Sequence, residues 1–156
     1  MRLLSRTTVL TITAIVLSSV GKKLSAQGLQ ACKLITAAEA AQALGKPAIA
    51  KAQVISPDKD TCGYLGSGFD VHTEFLKSPS GWSAGLQKQV KSGKAEAIPG
   101  IGDEAVYMKD GSGDNTAIAR KGNQMVSVWI HEEQGTAAQV KPLAIKLLKL
   151  AMTKVP

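Results

Sequence analysis

Two histidines and a handful of carboxylates hold most of the reactive chemistry in this chain. Asp70, His72 and Glu74 alternate along one short segment, and His131 follows Trp129 by two residues in another. Alternate residues of an extended strand project to the same face, so imidazole and carboxylate groups at this spacing can converge on a divalent metal such as zinc. Asp70, His72, Glu74 and His131 are therefore the candidate metal ligands. A metal-assisted hydrolase using His72 and His131 is the enzymatic reading they support. The same residue types also make up an ordinary solvated sheet face, which is the plainer expectation. Trp129 stands out against that background. A large aromatic on the polar side of an alternating strand either lies under a packed helix or forms an exposed contact surface.

Other chemistry lacks parts. Asp110-Gly111-Ser112-Gly113-Asp114 places oxygen ligands at alternate positions, as a calcium loop does, but Lys121 stands where the bidentate Glu of such a loop belongs. A hairpin turn is the expectation there. Gly100-Ile101-Gly102-Asp103-Glu104 precedes a strand, whereas a dinucleotide-binding glycine loop follows a strand and opens a helix. Its glycines are read as a tight entry into the sheet. Cysteines joined in a bridge leave no thiolate nucleophile. The sequence thus assigns no catalytic residue and no cofactor, and a non-enzymatic role is favoured.

The start of the chain bears on where the protein works. Arg2 and Arg6 precede an apolar run from Thr8 to Val20, and Leu24-Ser25-Ala26 offers a small residue for cleavage. The run is shorter than the roughly 20 residues of a membrane-spanning helix but suits a secretory signal, which predicts a signal peptide over residues 1–26 and a single domain over residues 27–156. The whole chain has 19 basic and 12 acidic residues, a net of +7. Arg2, Arg6, Lys22 and Lys23 belong to the leader, which has no acid, so the remainder is only +3. Most of the basicity is thus an export signal, and no nucleic-acid partner is implied. A periplasmic or secreted location follows. In that oxidising setting the two cysteines, Cys32 and Cys62, read as a disulfide. The competing reading makes Leu29-Gln30-Ala31-Cys32 a lipobox with Cys32 lipidated, although Gln30 stands where a small residue is usual.

The elements that must position these residues have clear punctuation. Thr36-Ala37-Ala38-Glu39 is a capping box that opens a helix ending near Leu44-Gly45. Strands are expected around Lys51 to Ile55, Thr61 to Leu65 and Phe69 to Leu76; in the last, Phe69, Val71, Thr73 and Phe75 face away from Asp70, His72 and Glu74. Trp82, Leu86 and Val90 lie on one face of a second helix. Strands follow at Glu104 to Lys109, Asn115 to Lys121 and Gln124 to His131, the last two joined by the hairpin signal Gly122-Asn123. A final helix spans Ala137 to Lys154, with Pro142 in the first turn of its regular part and Leu143, Leu147 and Leu150 on one face. Its lysines, Lys141, Lys146, Lys149 and Lys154, could touch an anionic membrane surface, but a wet helix face is the commoner role. The order predicts an α+β fold: an antiparallel sheet of five or six strands with two or three helices packed on one face.

Three short segments together resemble a broad group of small exported bacterial proteins of unknown function, many of them lipoproteins. They are Ala31-Cys32-Lys33-Leu34-Ile35-Thr36 with Glu39 and Leu44-Gly45, then Cys62-Gly63-Tyr64, then Gly100-Ile101-Gly102-Asp103-Glu104-Ala105. The resemblance implies a Cys32–Cys62 disulfide and an α+β fold, and brings no activity, cofactor or catalytic residue with it. The functional expectation is a binding module whose partner is a protein, an envelope component or a small ligand, with Trp129 in the contact surface.

Overall fold

The computed structural model describes residues 29–45, 51–65, 67–109, 115–131 and 136–156, which form an α+β fold around a seven-stranded antiparallel sheet. The leader expected over residues 1–26 and the acidic turn from Asp110 to Asp114 lie outside the described residues. A 3-10 turn, Ala31–Lys33, leads into α1 (Ala37–Leu44). The strands β1 (Ala52–Val54), β2 (Thr61–Tyr64) and β3 (Phe69–Phe75) form a first meander. Helix α2 (Pro79–Lys91) crosses to a second meander of β4 (Ala95–Ala97), β5 (Glu104–Lys109), β6 (Asn115–Lys121) and β7 (Gln124–Ile130), and α3 (Ala137–Met152) follows. Across the sheet the order is β1-β2-β3-β7-β6-β5-β4, so β3 and β7 join the meanders and β7 is the middle strand.

Local chemistry sets the helix ends. The Thr36 hydroxyl accepts from the Glu39 backbone N–H at 3.2 Å while the Glu39 carboxylate accepts from the Thr36 N–H at 2.7 Å, the expected capping box. Gly45 stops α1 in the left-handed region at φ 64°, which costs glycine little. Helix α3 begins earlier than its proline suggested. The Gln139 side chain accepts from the Thr136 N–H at 2.9 Å and starts the helix there, leaving Pro142 inside it. Pro142 lies in the second turn, where α3 tolerates the loss of one N–H donor.

Cross-strand register shows which residues share a face. Phe69, Val71 and Thr73 of β3 stand opposite Ile130, Val128 and Val126 of β7, and all six are buried. With Ala117 and Ala119 of β6 they form the inner face, onto which α3 lays Val140, Ala144, Leu147, Leu148 and Ala151. The two alanines add little bulk, so α3 approaches the backbone of β6 closely. Ala40 and Ala41 of α1 join the same core.

Two expectations need correction. The sheet has seven strands, not five or six, because Ala95–Ala97 pairs with β5 despite an Ala-Glu-Ala sequence without strand preference. Pairing with a neighbouring strand overrides weak local propensity. The helices also do not share one face. Leu86 of α2 packs with Ala95 and Val106, and Trp82 and Val90 flank them, on the side opposite Ala105 and Tyr107. Residues 105 to 108 of β5 are Ala-Val-Tyr-Met, apolar on both sides, and therefore need cover on both.

Candidate functional site

The outer face divides into a half beneath α2 and a half left open. On the open half, register sets Asp70 opposite Trp129, His72 opposite Ser127 and Glu74 opposite Met125, so the alternation read from the sequence puts Asp70, His72, Glu74 and Trp129 on one face. His131 lies just past the end of β7, where its Nε2 is 3.1 Å from Asp70 Oδ2. Asp70, Trp129 and His131 are thus brought together. His72 and Glu74 are not part of that group. His72 is four residues along the sheet from the level of His131, roughly 13 Å away at strand rise. Its Nδ1 is 3.0 Å from the Thr61 hydroxyl, which in turn donates to Asp60 at 3.1 Å. The Ser56 hydroxyl also donates to Asp60 and is the main reason its carboxyl is held below the usual range. Among the described residues, no group of three or more His, Cys, Asp and Glu side chains is placed to hold a metal ion.

Trp129 is the next-to-last residue of β7, at the border of the open half. Its indole is 43% exposed although β7 is the middle strand. The indole N–H donates to the Ser127 hydroxyl at 3.0 Å, which fixes the ring over its own strand. Ile55 and Leu65 are the other large apolar side chains left exposed toward the β1–β2 edge of this face. Gly63 keeps the surface low between them: an added Cβ there would meet Asp70 Oδ1 and the Ile55 side chain at 3.1 Å.

The segments that carried the resemblance are structural devices. Cys32 and Cys62 are bonded, and two residues on Tyr64 donates its hydroxyl to the Ile35 carbonyl at 2.6 Å. Both inward positions of the C-x-Y segment therefore pin the chain before α1 to β2. Burial pushes the Tyr64 hydroxyl well above its ordinary pKa, and its ring stacks on Phe69 at 4.3 Å. A sulfur bonded to Cys62 is not available for a lipid thioether. In Gly100-Ile101-Gly102-Asp103-Glu104, Gly102 has φ 59° and its absent Cβ would fall 2.3 Å from the Arg120 carbonyl oxygen. Asp103 accepts from the Gly122 N–H at 2.8 Å and from Arg120 at 3.0 Å, while Glu104 accepts from Arg120 Nε at 2.8 Å. The segment clasps the β6–β7 hairpin.

No protein-family model, curated protein or solved structure matches the chain.

The lysines of α3 are largely engaged within the fold. Lys141 pairs with Glu96 at 2.5 Å and lies over the Tyr107 ring, Lys154 pairs with Glu39 at 2.7 Å, and Lys146 donates to the Ala43 carbonyl at 3.3 Å. Among the described residues no helix is long and apolar enough to cross a membrane.

Sequence reasoning missed one feature. Between α2 and the β4–β5 edge is a cleft of about 260 Å³, lined by Leu86, Gln87, Val90 and Lys91 of the helix and by Ala97, Glu104, Ala105 and Val106 of the sheet side. The apolar stripe of α2 was legible, but the surface that receives it depends on the two-sided apolarity of β5, which was the available signal.

Proposed function

We propose that this protein is an exported, non-enzymatic binding domain of the periplasm or cell exterior. It docks a partner protein through the open half of its sheet. The observation that carries the reading is Trp129: a large indole, 43% exposed on the middle strand and already fixed by its bond to Ser127. Contact residues of this kind lose little conformational entropy on binding and dominate interface energies. Around it, Asp70, His72, Glu74 and His131 supply the polar rim that surrounds such an anchor in protein interfaces. Export is supported by the leader-like residues 1–26 and by the disulfide.

The test places a photo-crosslinking residue at position 129 in an exporting bacterial host, with Lys149 on the outer side of α3 as the control. A partner captured only at 129 is then purified and titrated with the wild type and with Trp129→Ala. The expected loss is about 2 kcal/mol, roughly thirtyfold in affinity, with stability changed by less than about 0.5 kcal/mol. Equal capture at both positions, or unchanged affinity for the variant, sinks the proposal.

A further inference from the structure

We propose that the cleft beneath α2 binds a single-tailed anionic amphiphile of medium chain length, a fatty acid of roughly ten carbons. It is a second site, separate from the Trp129 surface on the same side of the sheet.

Three observations lead to this ligand class. The walls facing each other are Leu86 and Val90 on the helix and Ala97 and Val106 on the sheet, which offer an aliphatic chain contact but few hydrogen bonds. The one carboxylate in the lining, Glu104, is already occupied: Arg120 Nε donates to it at 2.8 Å and the Ser83 hydroxyl donates as well. Its charge is therefore answered within the protein and does not repel an anionic guest. Lys91, at the far end of α2, lines the cleft and has no ion-pair partner among the described residues. Lys88 and Lys94, outside the lining, likewise have no ion-pair partner among the described residues, and α2 has no acidic residue. On the helix side the cleft runs from Leu86 to Lys91, five residues or about 7.5 Å, which covers the head-proximal part of such a chain. A tail along the Leu86, Val90, Ala97 and Val106 walls places its carboxylate at Lys91.

The helix is also lightly held. Leu86 is its only buried residue, and Gly81 and Gly85 each disfavour helix by about 1 kcal/mol relative to alanine. Helix α2 can therefore shift outward to admit a chain without disturbing the inner core.

The experiment is an NMR titration of the full exported protein with sodium decanoate below its micelle-forming concentration, following the methyl groups of Leu86, Val90 and Val106. Decanol and decyltrimethylammonium serve as neutral and cationic controls. Saturable shifts at these methyls and direct contacts between them and the decanoate chain are expected, with the cationic analogue at least about fivefold weaker. Ala97→Phe, which fills the cleft from an exposed edge position, should reduce decanoate affinity more than about tenfold. Lys91→Gln should weaken decanoate about threefold and leave decanol unchanged. Trp129→Ala should leave decanoate binding unchanged, which separates this site from the docking surface. Absence of contacts to the three methyls, decanoate affinity that survives Ala97→Phe, or equal affinity for the anionic and cationic analogues overturns the proposal. The contact measurement on the wild type decides the matter even if a variant fails to fold.

Discussion

The inner face of the sheet buries Phe69, Val71, Val126 and Val128 beneath α1 and α3, and a disulfide and the Tyr64 hydroxyl fasten the chain before α1 to its edge. The outer face covers only its β4–β6 end, with a helix that buries one leucine, and leaves Trp129 open at the middle. The contrast teaches where each kind of work is done. Stability is concentrated and doubly secured on one side, so the other can carry exposed aromatic surface and an underfilled cleft without loss of the fold.

Core substitutions test that division most directly. Phe69→Ala should cost about 4 kcal/mol, because the ring is 1% exposed and stacked on Tyr64, whereas Leu86→Ala should cost under about 2 kcal/mol, because it borders an existing cleft. Urea unfolding of both variants measures the gap, and equal costs would mean that the faces share the load. Next in size is the disulfide. Replacing Cys32 with Ser and Cys62 with Ala removes a link between residues 30 apart and should cost about 3 kcal/mol in the same assay. A much smaller loss would show that Tyr64 and the surrounding packing hold the segment by themselves.

The smallest expected effect is electrostatic and also belongs to the inner side. The Lys154 ammonium, and then the Thr36 N–H, hold the Glu39 carboxyl down from its ordinary 4.5 to about 2. A carboxyl with a depressed folded pKa stabilises fully above its unfolded value and loses that contribution as pH falls through the folded one. Stability should therefore decline between about pH 5.5 and pH 2, by up to about 1 kcal/mol for this partly exposed pair. Glu39→Gln should flatten that part of the profile, and a variant with the wild-type slope would assign the decline to other carboxylates.

Much of the fold was legible because local signals agreed with it. The alternation from Phe69 to Phe75 separated the two faces correctly, and the Thr36 capping box and the Gly122-Asn123 turn lie where they were read. Ala95–Ala97 was missed because nothing in Ala-Glu-Ala favours a strand until β5 lies beside it. The placement of α2 was missed because an amphipathic stripe tells which side of a helix is apolar, not which side of a sheet receives it. At the site, alternation correctly placed Asp70, His72 and Glu74 together on the outer face. Their relation to His131 depends on the register between β3 and β7, strands far apart in the chain. That register joins His131 to Asp70 and sets it apart from His72.

The same register has a kinetic consequence. The middle strand of the sheet is the last one synthesised, and pairing Asp70 with Trp129 closes a span of 59 residues. Until that happens the first meander is a three-stranded fragment with an unpaired inner edge, and folding dominated by such distant pairings runs on milliseconds to seconds. For a chain exported as proposed here, delay is useful, since a polypeptide must stay extended while it is threaded through a translocation channel. Once across, the half that contains both cysteines can oxidise first, and the arrival of β7 then completes the sheet.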